Sequence, residues 1–118
     1  MFKKVYVDFD GVLLDSCKGT EDYILKKFGK EIHISDAYKY NYTGIEGISK
    51  KDLYSAFSDP EYMSALKPYE GAKVGITRLK DLFEVIPYTQ VDSSAVKPVR
   101  DGQIADFGLE GEAYMACS

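Results

Sequence analysis

The amino-acid sequence predicts an α/β fold built on a short parallel sheet, and three observations carry that prediction. Three β-favouring runs, at residues 5–7, 83–88 and 112–116, are spread along the chain. Between them, apolar residues recur at helical spacing. The first run ends in polar residues and glycine, as buried parallel strands do where they deliver side chains to a site. Strand, helical segment, strand, helix, strand is the alternation that gives a parallel sheet with right-handed crossovers. No internal repeat or low-complexity linker interrupts it.

Taken in order, Val5-Tyr6-Val7 forms the first strand, and Asp8 to Gly11 occupies its carboxyl end. The spacing of Tyr23, Ile24 and Phe28 predicts a helix over 20–28, with Glu21 and Asp22 favouring its start and Gly29 its stop. The stretch to about Leu66 holds the aromatics Tyr38, Tyr40, Tyr42, Tyr54, Phe57 and Tyr62, with Ser49 and Asp59-Pro60 as starts of two short helices. It reads as a small helical insert over 16–66, between core segments 1–15 and 67–118. After Lys67-Pro68-Tyr69-Glu70-Gly71, residues Ala72, Ile76, Leu79 and Leu82 make the apolar face of an amphipathic helix. The second strand follows at 83–88, with Pro87 expected at its end or at a bulge, because proline donates nothing to a ladder. Pro98 opens a helix carrying Val99, Ile104 and Phe107, Gly108 stops it, and the third strand closes the sequence.

The composition narrows the function. A chain of 118 residues, 45% hydrophobic and 29% charged, has room for one core and is ordinary for a globular protein. Its net charge of -4 lacks the basic excess that gripping nucleic acid requires. No apolar run is long enough to span a membrane, and Asp8 and Asp10 interrupt the stretch that follows Lys3-Lys4. Cys17 and Cys117 make neither a disulfide framework nor a four-ligand metal site, which suits free thiols in the cytoplasm. The single histidine, His33, lies in a polar stretch without a second ligand and reads as a surface residue.

The chemistry concentrates at the end of the first strand, where ligands of open parallel sheets bind. Residues two apart on an extended strand point to one side, so Asp8 and Asp10 are expected to face one ligand or one hard cation. Magnesium usually takes one or two carboxylates together with water and substrate phosphate. An aspartate can attack phosphorus directly, and a second carboxylate can move the protons. Paired aspartates are common in turns, so the surrounding residues decide. The segment Val5-Tyr6-Val7-Asp8-Phe9-Asp10-Gly11-Val12-Leu13-Leu14-Asp15-Ser16 resembles the first motif of the haloacid dehalogenase superfamily: a hydrophobic strand, Asp-x-Asp-Gly-Val-Leu, and a trailing Asp-Ser. Residues 67–80 resemble that family's Pro-Tyr-x-Gly-Ala approach to the helix before the second core strand, and Thr89 falls on its second motif.

The resemblance implies a Rossmann-like three-layer core under a helical cap. It also implies a magnesium-dependent phosphomonoesterase that works through an aspartyl-phosphate. Asp8 is then the nucleophile, Asp10 the general acid/base, and Thr89 the hydroxyl that binds the transferring phosphoryl group, with Asp8 and Asp10 at the metal. The layout is closest to the small-capped, deoxyribonucleotidase-like group, which implies a small phosphorylated metabolite such as a nucleotide monophosphate as substrate. Two family features have no counterpart: a lysine after the third strand, and an acidic pair after the fourth. Lys97 precedes Pro98 but follows Thr89 too closely to be that lysine. The chain therefore reads as cut short after the third core strand, with an incomplete parallel sheet, an open edge at the first strand and hydrolysis barely above background. The alternative is an inactive remnant or subunit that associates with itself or a partner through that edge. A response-regulator receiver fits less well, because its phosphorylated aspartate lies on a later strand.

Overall fold

The computed structural model describes residues 3–33 and 49–115. It is a small α/β protein with short parallel strand pairs. Strand β1 (Lys4–Val7) lies parallel to β2 (Glu84–Pro87), with Val7 opposite Pro87. Pro87 ends its strand, where a missing donor is tolerated. Strand β3 (Gln90–Val91) follows after Tyr88 and Thr89 and runs parallel to β4 (Tyr114–Met115). The change of partner falls between those two residues. The Tyr88 N–H donates to the Val7 carbonyl at 2.9 Å, and the Thr89 carbonyl accepts from the Tyr114 N–H at 3.1 Å.

Helix α1 (Ser16–Phe28) begins four residues earlier than periodicity predicts, because Asp15 caps it by accepting the Lys18 N–H at 2.9 Å. Gly29 stops it in the left-handed conformation, φ 67°. Helix α2 (Lys50–Ser55) starts at a reciprocal cap: Ser49 Oγ accepts from the Asp52 N–H, and Asp52 Oδ2 accepts from the Ser49 N–H. The Ser49 backbone N–H first, and then the Ser49 side chain, hold the Asp52 carboxyl below its usual pKa. Helix α3 (Pro60–Ala65) is capped by Asp59 and has proline in its first turn. These helices occupy the described parts of the predicted insert. Tyr38, Tyr40, Tyr42 and the side chain of Tyr54 lie outside the described residues.

Helix α4 (Ala72–Leu82) buries Ile76 and half-buries Ala72 and Leu79, whereas Leu82 is 67% exposed. The predicted apolar face therefore ends one turn early, and Phe83 beyond it is half-buried. Helix α5 (Lys97–Asp106) has Pro98 in its first turn, and Gly108 at φ 73° follows it. Beyond that stop the Leu109 N–H returns to the Ile104 carbonyl.

The core gathers Val7, Phe9, Leu13 and Leu14 from the first strand and its exit with Tyr62, Met63 and Leu66, Ile76, Val91, Val96, Ile104 and Phe107. The rings of Tyr23 and Phe57 meet the Tyr62 ring edge-on at 5.4 and 5.2 Å, so the described aromatics of the insert serve packing. The Tyr62 hydroxyl lies 3.0 Å from that of Thr20. Burial, more than any other cause, pushes the Tyr62 phenol up from 10.0 to about 12. A raised folded-state pKa means that stability is fully present below pH 10.0 and is lost as pH climbs towards about 12. Alkaline urea titrations of the wild type and Tyr62→Phe are expected to show a steeper fall in the wild type than in the variant, and parallel curves would assign the fall to other groups. Among the described residues no helix is long and apolar enough to cross a membrane.

Candidate functional site

The exit of β1 is a tight loop. The Phe9 carbonyl accepts the N–H groups of Val12, Leu13 and Leu14, while Gly11 takes φ 73°, a conformation costly for a side-chain-bearing residue. Burial of Phe9, Leu13 and Leu14 anchors the loop from below. The segment after the insert straps it from the side: the Asp15 N–H donates to the Lys67 carbonyl at 2.8 Å, and the Tyr69 N–H to the Leu13 carbonyl at 2.9 Å. Asp10 is thus presented by a loop held on two sides.

Asp10 and Thr89, distant in sequence, meet at one side chain. The Arg100 guanidinium donates from Nη2 to Asp10 Oδ1 at 2.7 Å and from Nη1 to Thr89 Oγ1 at 2.8 Å. Arg100 is fully buried, Thr89 is 2% exposed, and the Asp10 side chain is 30% exposed. Met63 Sδ lies 3.6 Å from Nη2, and the Phe9 ring faces the guanidinium at 5.6 Å. Arg100 Nε is buried without an acceptor among the described residues.

Asp8 stands apart. It is exposed, and its Oδ1 accepts the Phe9 N–H at 2.7 Å. It lines a hollow of 590 Å³ with Tyr6, Val12, Leu13, Tyr69 and Gly71, among others. Asp10 lines a different hollow, of 310 Å³, with Phe57, Met63, Gln90, Val91 and Asp92. The structure therefore brings Asp10 and Thr89 together through Arg100 and opens Asp8 on a separate hollow.

Lys97 is not at the site. It pairs with Asp101 and Glu112, each at 2.9 Å, and ties the start of α5 to the approach of β4. His33 is exposed. Cys17 is a half-buried free thiol whose pKa is raised by burial first and then by Asp15 and Glu21, which keeps it protonated; Cys117 lies outside the described residues. Sequence reasoning missed Arg100, although Val96, Arg100 and Ile104 recur every four residues and so share one helix face.

Among the described residues no group of three or more His, Cys, Asp or Glu side chains gathers in a form that would hold a metal ion. Magnesium usually needs fewer, one or two carboxylates with water and phosphate oxygens. Asp8 and Asp10 each commit Oδ1 to the protein, to Phe9 and Arg100 respectively. Oxygen donors of this kind suit that ion, although the two carboxylates open on different hollows. No protein-family model and no curated protein matches this chain.

Proposed function

We propose that the chain is a magnesium-dependent phosphomonoester hydrolase of the haloacid dehalogenase type, with a Rossmann-like core and a helical cap, acting in the cytoplasm through an aspartyl-phosphate at Asp8. One observation carries this reading: Asp10 and Thr89, the second carboxylate and the hydroxyl the chemistry needs, are held 2.7 and 2.8 Å from a single buried guanidinium. Phosphoryl transfer runs mainly on positioned groups and positive charge. A buried arginine supplies the charge for which sequence reasoning has no lysine.

The exposed Asp8 carboxylate has no ion-pair partner among the described residues, which leaves an oxygen free to attack phosphorus. Asp10 gives a proton to the departing alkoxide, then takes one from the water that splits the acyl-phosphate. Thr89 donates its hydroxyl hydrogen to a phosphoryl oxygen. Magnesium, held by Asp8 and Asp10, would neutralise charge on the phosphoryl oxygens. A small phosphorylated metabolite, such as a nucleotide monophosphate, is the substrate class of this reading.

The test is to incubate the chain with p-nitrophenyl phosphate and magnesium, quench in acid and map the phosphoryl group by mass spectrometry. Label on Asp8 is expected, and label elsewhere or nowhere would reject the reading. A second reading, association through the sheet edge without catalysis, is favoured by one observation. Among the described residues β1 pairs only with β2, which leaves its other edge without a strand partner there. An unlabelled chain that sediments as a stable dimer would support it.

A further inference from the structure

An arginine cannot shed its charge to suit a dry environment, so its burial has to be matched by acceptors. Val96 at the cap of helix α5, and Arg100 and Ile104 within it, are all fully buried. For Arg100 the acceptors are Asp10 Oδ1 and Thr89 Oγ1, one on each terminal nitrogen of a rigid planar fork.

That fork constrains what each partner can do. Thr89 Oγ1 has a lone pair occupied by Nη1–H, so its own hydrogen points away from the guanidinium, at a residue that is only 2% exposed. Asp10 has Oδ1 held by Nη2, which presents its other oxygen for proton transfer. The separation of Nη1 from Nη2 sets the spacing between donor hydroxyl and proton carrier. With no exposed surface of its own, Arg100 can act only through these two groups.

We infer that Arg100 is the positioning residue of this site: it aims the Thr89 hydroxyl and the Asp10 carboxylate at one oxyanion, the phosphoryl group of a phosphomonoester, and sets a fixed positive charge behind them. The inference rests on the phosphoryl-transfer reading for its reaction, while its geometry stands on Arg100, Asp10 and Thr89 alone. It differs from charge supply in general, because a lysine at the same place keeps the charge and loses the fork.

The test uses the whole chain as wild type, Arg100→Lys, Thr89→Val and the double variant, with p-nitrophenyl phosphate as phosphoryl donor. Arg100→Lys is expected to slow the first transfer to Asp8 about 100-fold, the loss that misplacement of a reacting group produces, with little change in half-saturation. Thr89→Val is expected to slow it comparably, and the double variant no further than the slower single variant, because the two residues act as one unit. A wild-type rate in Arg100→Lys, a change confined to half-saturation, or losses that multiply would each overturn the inference.

A second measurement needs neither turnover nor a folded Arg100 variant. In wild-type protein the Arg100 side-chain N–H resonances are expected to shift on titration with inorganic phosphate, and in Thr89→Val to shift much less. Unmoved resonances in the wild type would overturn the positioning role whether or not Asp8 is labelled. A shift without any label on Asp8 would support it and reject the hydrolase reading instead.

Discussion

Replacing Asp10 with alanine is expected to cost the fold about 3–5 kcal/mol, and to cost more than Arg100→Met does. The order follows from unequal burial within one pair, since the arginine side chain is 0% exposed and the aspartate 30%. Without Asp10 the guanidinium keeps its charge and has only the Thr89 hydroxyl, the Met63 sulfur and the Phe9 ring face to meet it. Without Arg100 the carboxylate already touches water and hydrates, while methionine fills the vacated space; about 1–3 kcal/mol is expected. Asp10→Asn keeps an acceptor and loses the charge, so it should fall between the two. Urea unfolding at neutral pH, analysed where the variants share a common slope, reads these differences directly. Equal losses, or the reverse order, would mean that solvent reaches the guanidinium.

The alternation of strands and helices is legible in the sequence because each element carries its own local signal. Pro98 and Gly108 bracket α5, and Asp59-Pro60 opens α3. The start of α1 is less legible, because Ser16-Cys17-Lys18-Gly19 has no apolar periodicity and only the side chain of Asp15 marks the helix. Leu82 fits the face of α4 by spacing, yet the helix ends there and leaves it in solvent. Asp8, Asp10 and Thr89 are legible as candidates from strand ends and motif likeness. The meeting of Asp10 with Thr89 is not, since it depends on a side chain from a helix further along the chain. The hint was a charged residue on a buried stripe, between Val96 and Ile104, which must find a partner somewhere. Lys97 attracts attention by its place in the sequence, but its two carboxylate partners give it a structural task.

Asp8→Asn is expected to lower phosphoryl incorporation from p-nitrophenyl phosphate by at least about a thousandfold, the scale on which loss of a reacting group acts. A carboxamide oxygen is a poor nucleophile and forms no stable acyl-phosphate. The fold should barely register the change. Asp8 is exposed and makes one local hydrogen bond, from the Phe9 N–H, which an asparagine oxygen still accepts. A stability change within about 0.5 kcal/mol is therefore expected, as for most surface substitutions. The two aspartates thus separate experimentally: Asp8→Asn removes reaction and leaves stability, whereas Asp10→Asn lowers both. Incorporation that persisted in Asp8→Asn would place the nucleophile elsewhere.

The strap between Asp15 and Lys67 bears on how such a protein can diverge. Those residues stand at the two ends of the insert and are hydrogen-bonded to each other at 2.8 Å, while Leu13 and Tyr69 repeat the connection one step further in. The chain therefore leaves the sheet and returns to it through a single narrow neck. Closing a longer loop across a neck already formed costs only a slowly growing entropy, about 0.6 kcal/mol for each doubling of its length. Length can then change within the insert while the loop that presents Asp10 stays where it is, provided that Ala56, Tyr62, Met63 and Leu66, which the insert contributes to the shared core, are kept.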